Sequence, residues 1–161
     1  MSNDVWRDDA WVSQAQILLD SYAHWLRDEL LPRSGDPVED ARRLFHADRI
    51  VVSHGTESNP LLNYGNLAAL ELWEMDVATF TSTPSRQTTE PGHRDERERL
   101  LQRTARRGYV DDYQGIRISK SGRRFKIDRA LVWNLLDFSR EVPIGCGQAA
   151  TFSEWKMLDI R

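Results

Sequence analysis

Over residues 110–152 successive apolar stretches are separated only by short turns, with no helical segment between them. Residues 110–118 alternate in polarity, and Ser121-Gly122 supplies a hairpin turn before Arg124-Phe125-Lys126-Ile127. Residues 131–138 form a strongly apolar strand pattern, residues 139–143 a turn, and residues 144–152 a last strand. Strands joined by hairpins pair antiparallel, because a parallel pair needs a crossover of a dozen or more residues, usually a helix. The last third therefore commits the chain to an antiparallel meander. Gly145 and Gly147 leave room there for close approach by a neighbour or a ligand.

The segments upstream decide what covers that sheet. Across residues 10–31, Trp11, Ala15, Leu18, Tyr22, Trp25 or Leu26, and Leu30 recur every three or four positions and mark one apolar helical stripe. Pro32 and Arg33-Ser34-Gly35-Asp36-Pro37 end it, and a second helix is expected over residues 38–45, with Asp36 as N-cap and Pro37 at its first position. Arg49-Ile50-Val51-Val52-Ser53-His54 reads as a strand, residues 55–60 as a turn, and residues 61–64 as a partner strand. Asn66 is placed to cap a helix over residues 67–75, and residues 77–80 follow it. Residues 81–92, with Pro84 and Pro91, are expected to be irregular or a single turn. Residues 93–107 read as a helix with Leu100, Leu101, Thr104 and Ala105 inward and Gly108 as a left-handed cap. The sum is an α+β domain: a five-stranded antiparallel sheet with helices on one face, over residues 47–158, and an N-terminal helical extension, residues 1–46.

A chain of 161 residues suits one domain and can bury a sizeable core. Its net charge of −3 argues against direct nucleic-acid binding, and no apolar run approaches membrane-spanning length. Cys146 is the sole cysteine, which removes intrachain disulfides and cysteine metal clusters and fits a reducing compartment. The N-terminus has no signal-peptide pattern, so the cytoplasm is the expected location. Six tryptophans point to a large aromatic core, a dimer interface, or both.

Several short runs go further than the order of elements. They are Ser53-His54-Gly55-Thr56-Glu57, Leu62-Asn63-Tyr64-Gly65-Asn66, Ala69-Leu70-Glu71-Leu72-Trp73-Glu74, and Pro84-Ser85-Arg86 through Glu90-Pro91 to His93-Arg94-Asp95-Glu96-Arg97. Gly122-Arg123-Arg124-Phe125, Val132-Trp133-Asn134 and Gly147-Gln148-Ala149-Ala150-Thr151-Phe152 continue the series. In this order, from about Leu19 to Trp155, they resemble the MEKHLA family. The resemblance implies a PAS-like fold and a sensory or dimer-modulating role. The family occurs as stand-alone bacterial proteins and at the C-terminus of plant class III homeodomain–leucine zipper regulators. It supplies no catalytic residues to transfer, so the role is a class and not a ligand. Among PAS-like domains, adduct-forming flavin photoreceptors need a cysteine on the helix after the central loop, where this chain reads Thr83-Pro84-Ser85-Arg86-Gln87-Thr88. A haem reading would rest on His93 alone. Neither flavin nor haem is expected, and no metal.

The candidate ligand contacts are His54, Asn63, Tyr64, Arg86, His93, Asn134 and Gln148. His54 ends a strand, where its imidazole can donate, accept or exchange a proton, or simply bond the next turn. Asn63 and Tyr64 lie in the following segment. Arg86 suits a carboxylate or phosphate, or an ion pair with Glu90 or Glu74. His93, Arg94 and Arg97 lie at the start of a helix, where an anion gains from free amides and the helix dipole, although the run from His93 to Arg99 is mixed in sign and reads mainly as a solvated face. Trp133 and Asn134 point to opposite faces of one strand, and either one can face the pocket. A buried Gln148 needs partners that an amide or heterocycle could provide.

The favoured reading is a module binding a small polar or anionic molecule between sheet and helices, signalling through a homodimer built on the N-terminal helix or through partner contacts. The alternative is a small metal-free enzyme, with His54 or His93 as the catalytic acid–base and Arg86 as anion clamp. A third is an interaction protein whose interior is filled by Phe80, Phe125 and Trp133.

Overall fold

The computed structural model describes residues 4–89 and 94–158. After a 3-10 turn, Val5–Arg7, helix α1 spans Asp9–Leu26 and α2 spans Pro37–Phe45. Strands β1, Ile50–His54, and β2, Leu62–Gly65, precede α3, Leu67–Trp73, and α4, Val77–Phe80. A second 3-10 turn, Ser85–Thr88, leads to α5, Arg94–Arg107. The meander follows as β3, Tyr109–Ile118, β4, Arg124–Asp137, and β5, Ile144–Phe152.

The sheet runs β2-β1-β5-β4-β3, antiparallel throughout. One strand exceeds the five expected: β6, Trp155–Met157, pairs Phe125 with Met157 and Ile127 with Trp155. The reason is the length of β4. The two apolar stretches read around residues 124–127 and 131–138 fuse into one strand of 14 residues, and β5 covers only Leu131 to Asp137. The uncovered half is an open edge, which β6 closes.

Helices α3, α4 and α5 cover one face, called the front. Helices α1 and α2 cover the back. Ala15, Leu18 and Leu19 of α1 are buried with Val51, Tyr64, Trp133 and Ala149 of the sheet. Tyr22 stacks edge-on against Trp133, with centroids 5.3 Å apart. The apolar stripe of α1 is thus consumed inside the subunit. Helix α2 is strapped to α1 by Arg33, which pairs with buried Asp40 at 3.0 Å and with Asp20 at 3.2 Å.

The caps follow the sequence. Asp36 accepts from the Val38 amide and Pro37 opens α2. Asn66 is fully buried: it accepts from the Val51 and Ala69 amides and donates to the Arg49 and Leu44 carbonyls. It therefore caps α3 and ties that helix to β1 and α2. Gly108, at φ +91, ends α5, and a Cβ there would lie 2.6 Å from the Trp25 ring. Among the described residues no helix is long and apolar enough to cross a membrane.

Candidate functional site

The pairing of β1, β5 and β4 places residues from distant sequence in rows across the sheet. His54 is opposite Gln148, and Gln148 is opposite Asn134. One step along, Val52 is opposite Ala150, and Ala150 is opposite Val132. Alternation puts both rows on the front, while Ser53, Ala149 and Trp133 form the intervening row on the back. Gly147, at φ +148, permits the pairing, because a Cβ there would collide with the backbone oxygen of His54.

Between these rows and the helices lies a cavity of about 70 Å³. Val52, Ala150, Val132, Leu62 and Ile127 line its apolar side. His54, Gln148, Arg97, Ser85 and Thr88 line its polar side. Arg97 reaches in from α5 and is only 4 % exposed. It donates to Ser85 Oγ at 2.7 Å and lies 3.6 Å from Glu98. Thr88 in turn donates to the Ser85 carbonyl at 2.8 Å, which holds the 3-10 turn against the cavity.

The two sheet residues carry unmet hydrogen-bonding capacity. His54 Nδ1 lies 2.9 Å from the Gly55 carbonyl oxygen, which can only accept, so Nδ1 carries the proton. Burial pulls the His54 pKa below its ordinary value, against the Gly55 hydrogen bond and with help from the Arg97 charge. The ring is therefore neutral near pH 7, and Nε2 is an acceptor. That atom is buried without a partner. Gln148 Nε2 donates to the Leu101 carbonyl at 3.1 Å and to Asn134 Oδ1 at 2.9 Å, and Gln148 Oε1 is likewise buried without a partner. A buried acceptor left unpaired costs about 1–3 kcal/mol. Two such acceptors lie on one cavity wall.

Asn134 links this wall to both helical layers. Its side chain donates to the Thr104 carbonyl at 3.0 Å, and its amide donates to the Gly108 carbonyl at 2.9 Å. Its own carbonyl accepts from the Trp25 indole at 2.9 Å. The strand alternation resolves the pair left open by the sequence: Trp133 is fully buried on the back and Asn134 faces the front.

Of the residues singled out from sequence, His54 and Gln148 line the cavity and Asn134 supports it from beside the wall. Asn63, Tyr64 and Arg86 lie elsewhere, which corrects their expected place. A bulge in the β1–β2 pairing puts Ser53 opposite Tyr64 and His54 opposite Leu62, so Leu62 takes the cavity side. Asn63 is exposed and accepts from Ser53 Oγ at 2.6 Å. Tyr64 is buried on the back against Trp11, at 4.8 Å between centroids, and burial pushes its phenol far above the usual range. Arg86 is exposed on the outer side of the 3-10 turn. His93 lies outside the described residues. Among those described, no cluster of three or more His, Cys, Asp or Glu is placed to hold a metal ion.

The family model of the MEKHLA domain matches residues 12–157. The chain belongs to the MEKHLA family. No curated protein matches the sequence. Among solved structures, the PAS domain of a protein from Colwellia psychrerythraea superposes with a TM-score of 0.58 at 10% identity, covering 70% of this chain and 92% of that one. A light-oxygen-voltage domain studied with a flavin analogue gives 0.56 at 12% identity, covering 74% and 84%. The light-state dimer of the fungal photoreceptor Vivid gives 0.55 at 13% identity, covering 84% of this chain and 93% of that one. At these identities the likeness shows the fold alone, which is PAS-like.

The cavity of this MEKHLA domain, about 70 Å³, is far below the roughly 300 Å³ at which pockets for drug-sized ligands begin. Cys146 packs with the back-face cluster, away from the cavity. Arg97, which the sequence places with His93 and Arg94 at the helix start, is the cavity residue that sequence reading left among the solvated charges. Within Arg94 to Arg99 the charges mix in sign, so the run reads as solvated. The signal lay in the spacing: Arg97 stands three and four residues before Leu100 and Leu101, and continues their buried stripe.

Proposed function

We propose that this MEKHLA domain is a sensory or regulatory module that takes a small polar molecule into the cavity between sheet and helices. The observation that carries the reading is the pair of buried, unpartnered acceptors, His54 Nε2 and Gln148 Oε1, on one cavity wall. Occupancy at Gln148 Oε1 reorients an amide that also bonds Leu101 of α5 and Asn134 of β4. Asn134 in turn holds the end of α5 and the Trp25 indole of α1. The state of the cavity thereby reaches both layers.

The output is a homodimer or a partner contact made on the outer side of α1, since the sheet-facing side is already buried. The catalytic alternative loses its anion clamp, because Arg86 is exposed and away from His54. Native mass spectrometry beside the denatured mass, with light scattering on the same sample, tests the proposal. A stoichiometric small molecule released on denaturation, with a dimer whose population it changes, is the expected result. A protein that binds nothing and keeps one oligomeric state across a metabolite panel refutes it.

A further inference from the structure

The walls of the cavity restrict what can occupy it. An apolar cavity of about 150 Å³ accepts benzene, so a space near 70 Å³ suits a molecule of about three, at most about four, non-hydrogen atoms. A cationic occupant is opposed by Arg97, whose guanidinium lines the same space at 4 % exposure. A carboxylate is opposed by the sheet wall, where His54 Nε2 and Gln148 Oε1 both present lone pairs and no proton. It would have to bring a proton to His54. A neutral donor remains. A hydroxyl has one hydrogen and satisfies one acceptor, whereas a primary amide carries two hydrogens on one nitrogen and can meet both. Its carbonyl is then free to face the polar side formed by Arg97 and Ser85, and a short alkyl group suits Val52, Ala150 and Val132.

We infer, resting on the reading that this cavity is a ligand site, that it recognises a small neutral primary carboxamide or urea. The NH₂ group donates to His54 Nε2 and Gln148 Oε1, and the carbonyl turns toward the Arg97 side. The arrangement is an amide site in which the protein supplies two acceptors on the sheet and the cation on the helix.

The test is a titration of the whole chain, isotope-labelled, at pH 7.5 with acetamide, urea, ethanol, acetate and methylammonium as separate probes. The readout is the ¹⁵N shift of His54 Nε2 and the side-chain amide signals of Gln148, with His54 assigned through His54→Gln. A ligand of about four atoms binds no more tightly than tens of micromolar, so each titration runs to about 100 mM. Acetamide and urea are expected to move both signals saturably. Gln148→Leu is expected to weaken acetamide by about tenfold while the backbone spectrum stays dispersed. Acetate or methylammonium moving the signals in place of acetamide overturns the amide chemistry and leaves the cavity reading standing. Ethanol matching acetamide overturns the two-donor requirement. No probe moving either signal sinks both this inference and the ligand-site reading. Acetamide shifts that persist unchanged in Gln148→Leu show binding elsewhere and also overturn it.

Discussion

Replacing Ala150 by valine tests the cavity without touching any polar group in it. Ala150 lies between Val52 and Val132 across three strands, and all three line the space. An unfilled volume near 70 Å³ corresponds to about 1.7 kcal/mol at roughly 24 cal/mol per Å³. The two added methyl groups contribute about 1.6 kcal/mol on burial. Valine also suits a strand interior, and its side-chain ordering costs about 0.5 kcal/mol. Ala150→Val is therefore expected to stabilise the fold by about 1 kcal/mol. In urea, with a slope of about 2 kcal/mol per M, the midpoint rises by about 0.5 M at unchanged slope. The same variant loses the space that a ligand needs, so acetamide titration goes flat. Stability and binding move in opposite directions. A loss of more than about 1 kcal/mol would mean that the walls already meet at Ala150, and the volume argument would fall. A gain in stability with binding intact would place the ligand somewhere else.

Three further outcomes are expected. His54 binds its proton less readily folded than unfolded, so above the unfolded value of about 6.5 the ring is neutral in both states and its contribution is constant. As pH falls below that, the unfolded chain takes up the proton first and stability drops, by at most about 1.4 kcal/mol per pH unit. Urea midpoints measured from pH 7.5 to 5.5 should show this slope, and one undiminished in His54→Gln would assign it to another group. Asn66→Ala removes four hydrogen bonds from a fully buried amide and is expected to cost about 3 kcal/mol or more by urea denaturation, a loss under 1 kcal/mol refuting the accounting. Trp25→Phe keeps the ring over Gly108 but removes the donor to the Asn134 carbonyl, so it should cost about 1 kcal/mol and shrink the acetamide-induced amide shifts of residues 22–27. Undiminished shifts there would show that the cavity does not report through Asn134.

The architecture was readable because its determinants are local. Hairpin turns, Asp36 and Asn66 as caps, Gly108 as a terminator and the stripe of α1 each act within a few residues, and each is where its chemistry places it. The site was half readable for the opposite reason. His54 and Gln148 lie on strands whose alternation can be counted, but Asn63 and Tyr64 follow a bulge, and a one-residue slip exchanges the faces. Leu62 therefore took the position that simple alternation from His54 would give to a polar neighbour. Arg86 and Arg97 were exchanged in importance because charge composition says nothing about which arginine a helix turns inward. Only the continuation of the Leu100 stripe distinguishes them. The sixth strand depended on the relative lengths of β4 and β5, a tertiary quantity that no window of sequence contains.

The same alternation that made half of the site readable also connects the cavity wall to both helical layers. Along β4, Trp133 is locked into the back-face core and the next residue, Asn134, holds the polar row on the front. The Asn134 carbonyl accepts from Trp25 of α1, while its side chain bonds α5 and Gln148. A movement of the Gln148 amide must therefore either break the Asn134 bond or draw on a backbone unit gripped from both layers. A close-packed core yields by switching between discrete arrangements rather than by deforming gradually. An occupied and an unoccupied cavity should accordingly correspond to two positions of the α1 end against the sheet, separated by the state of a single amide.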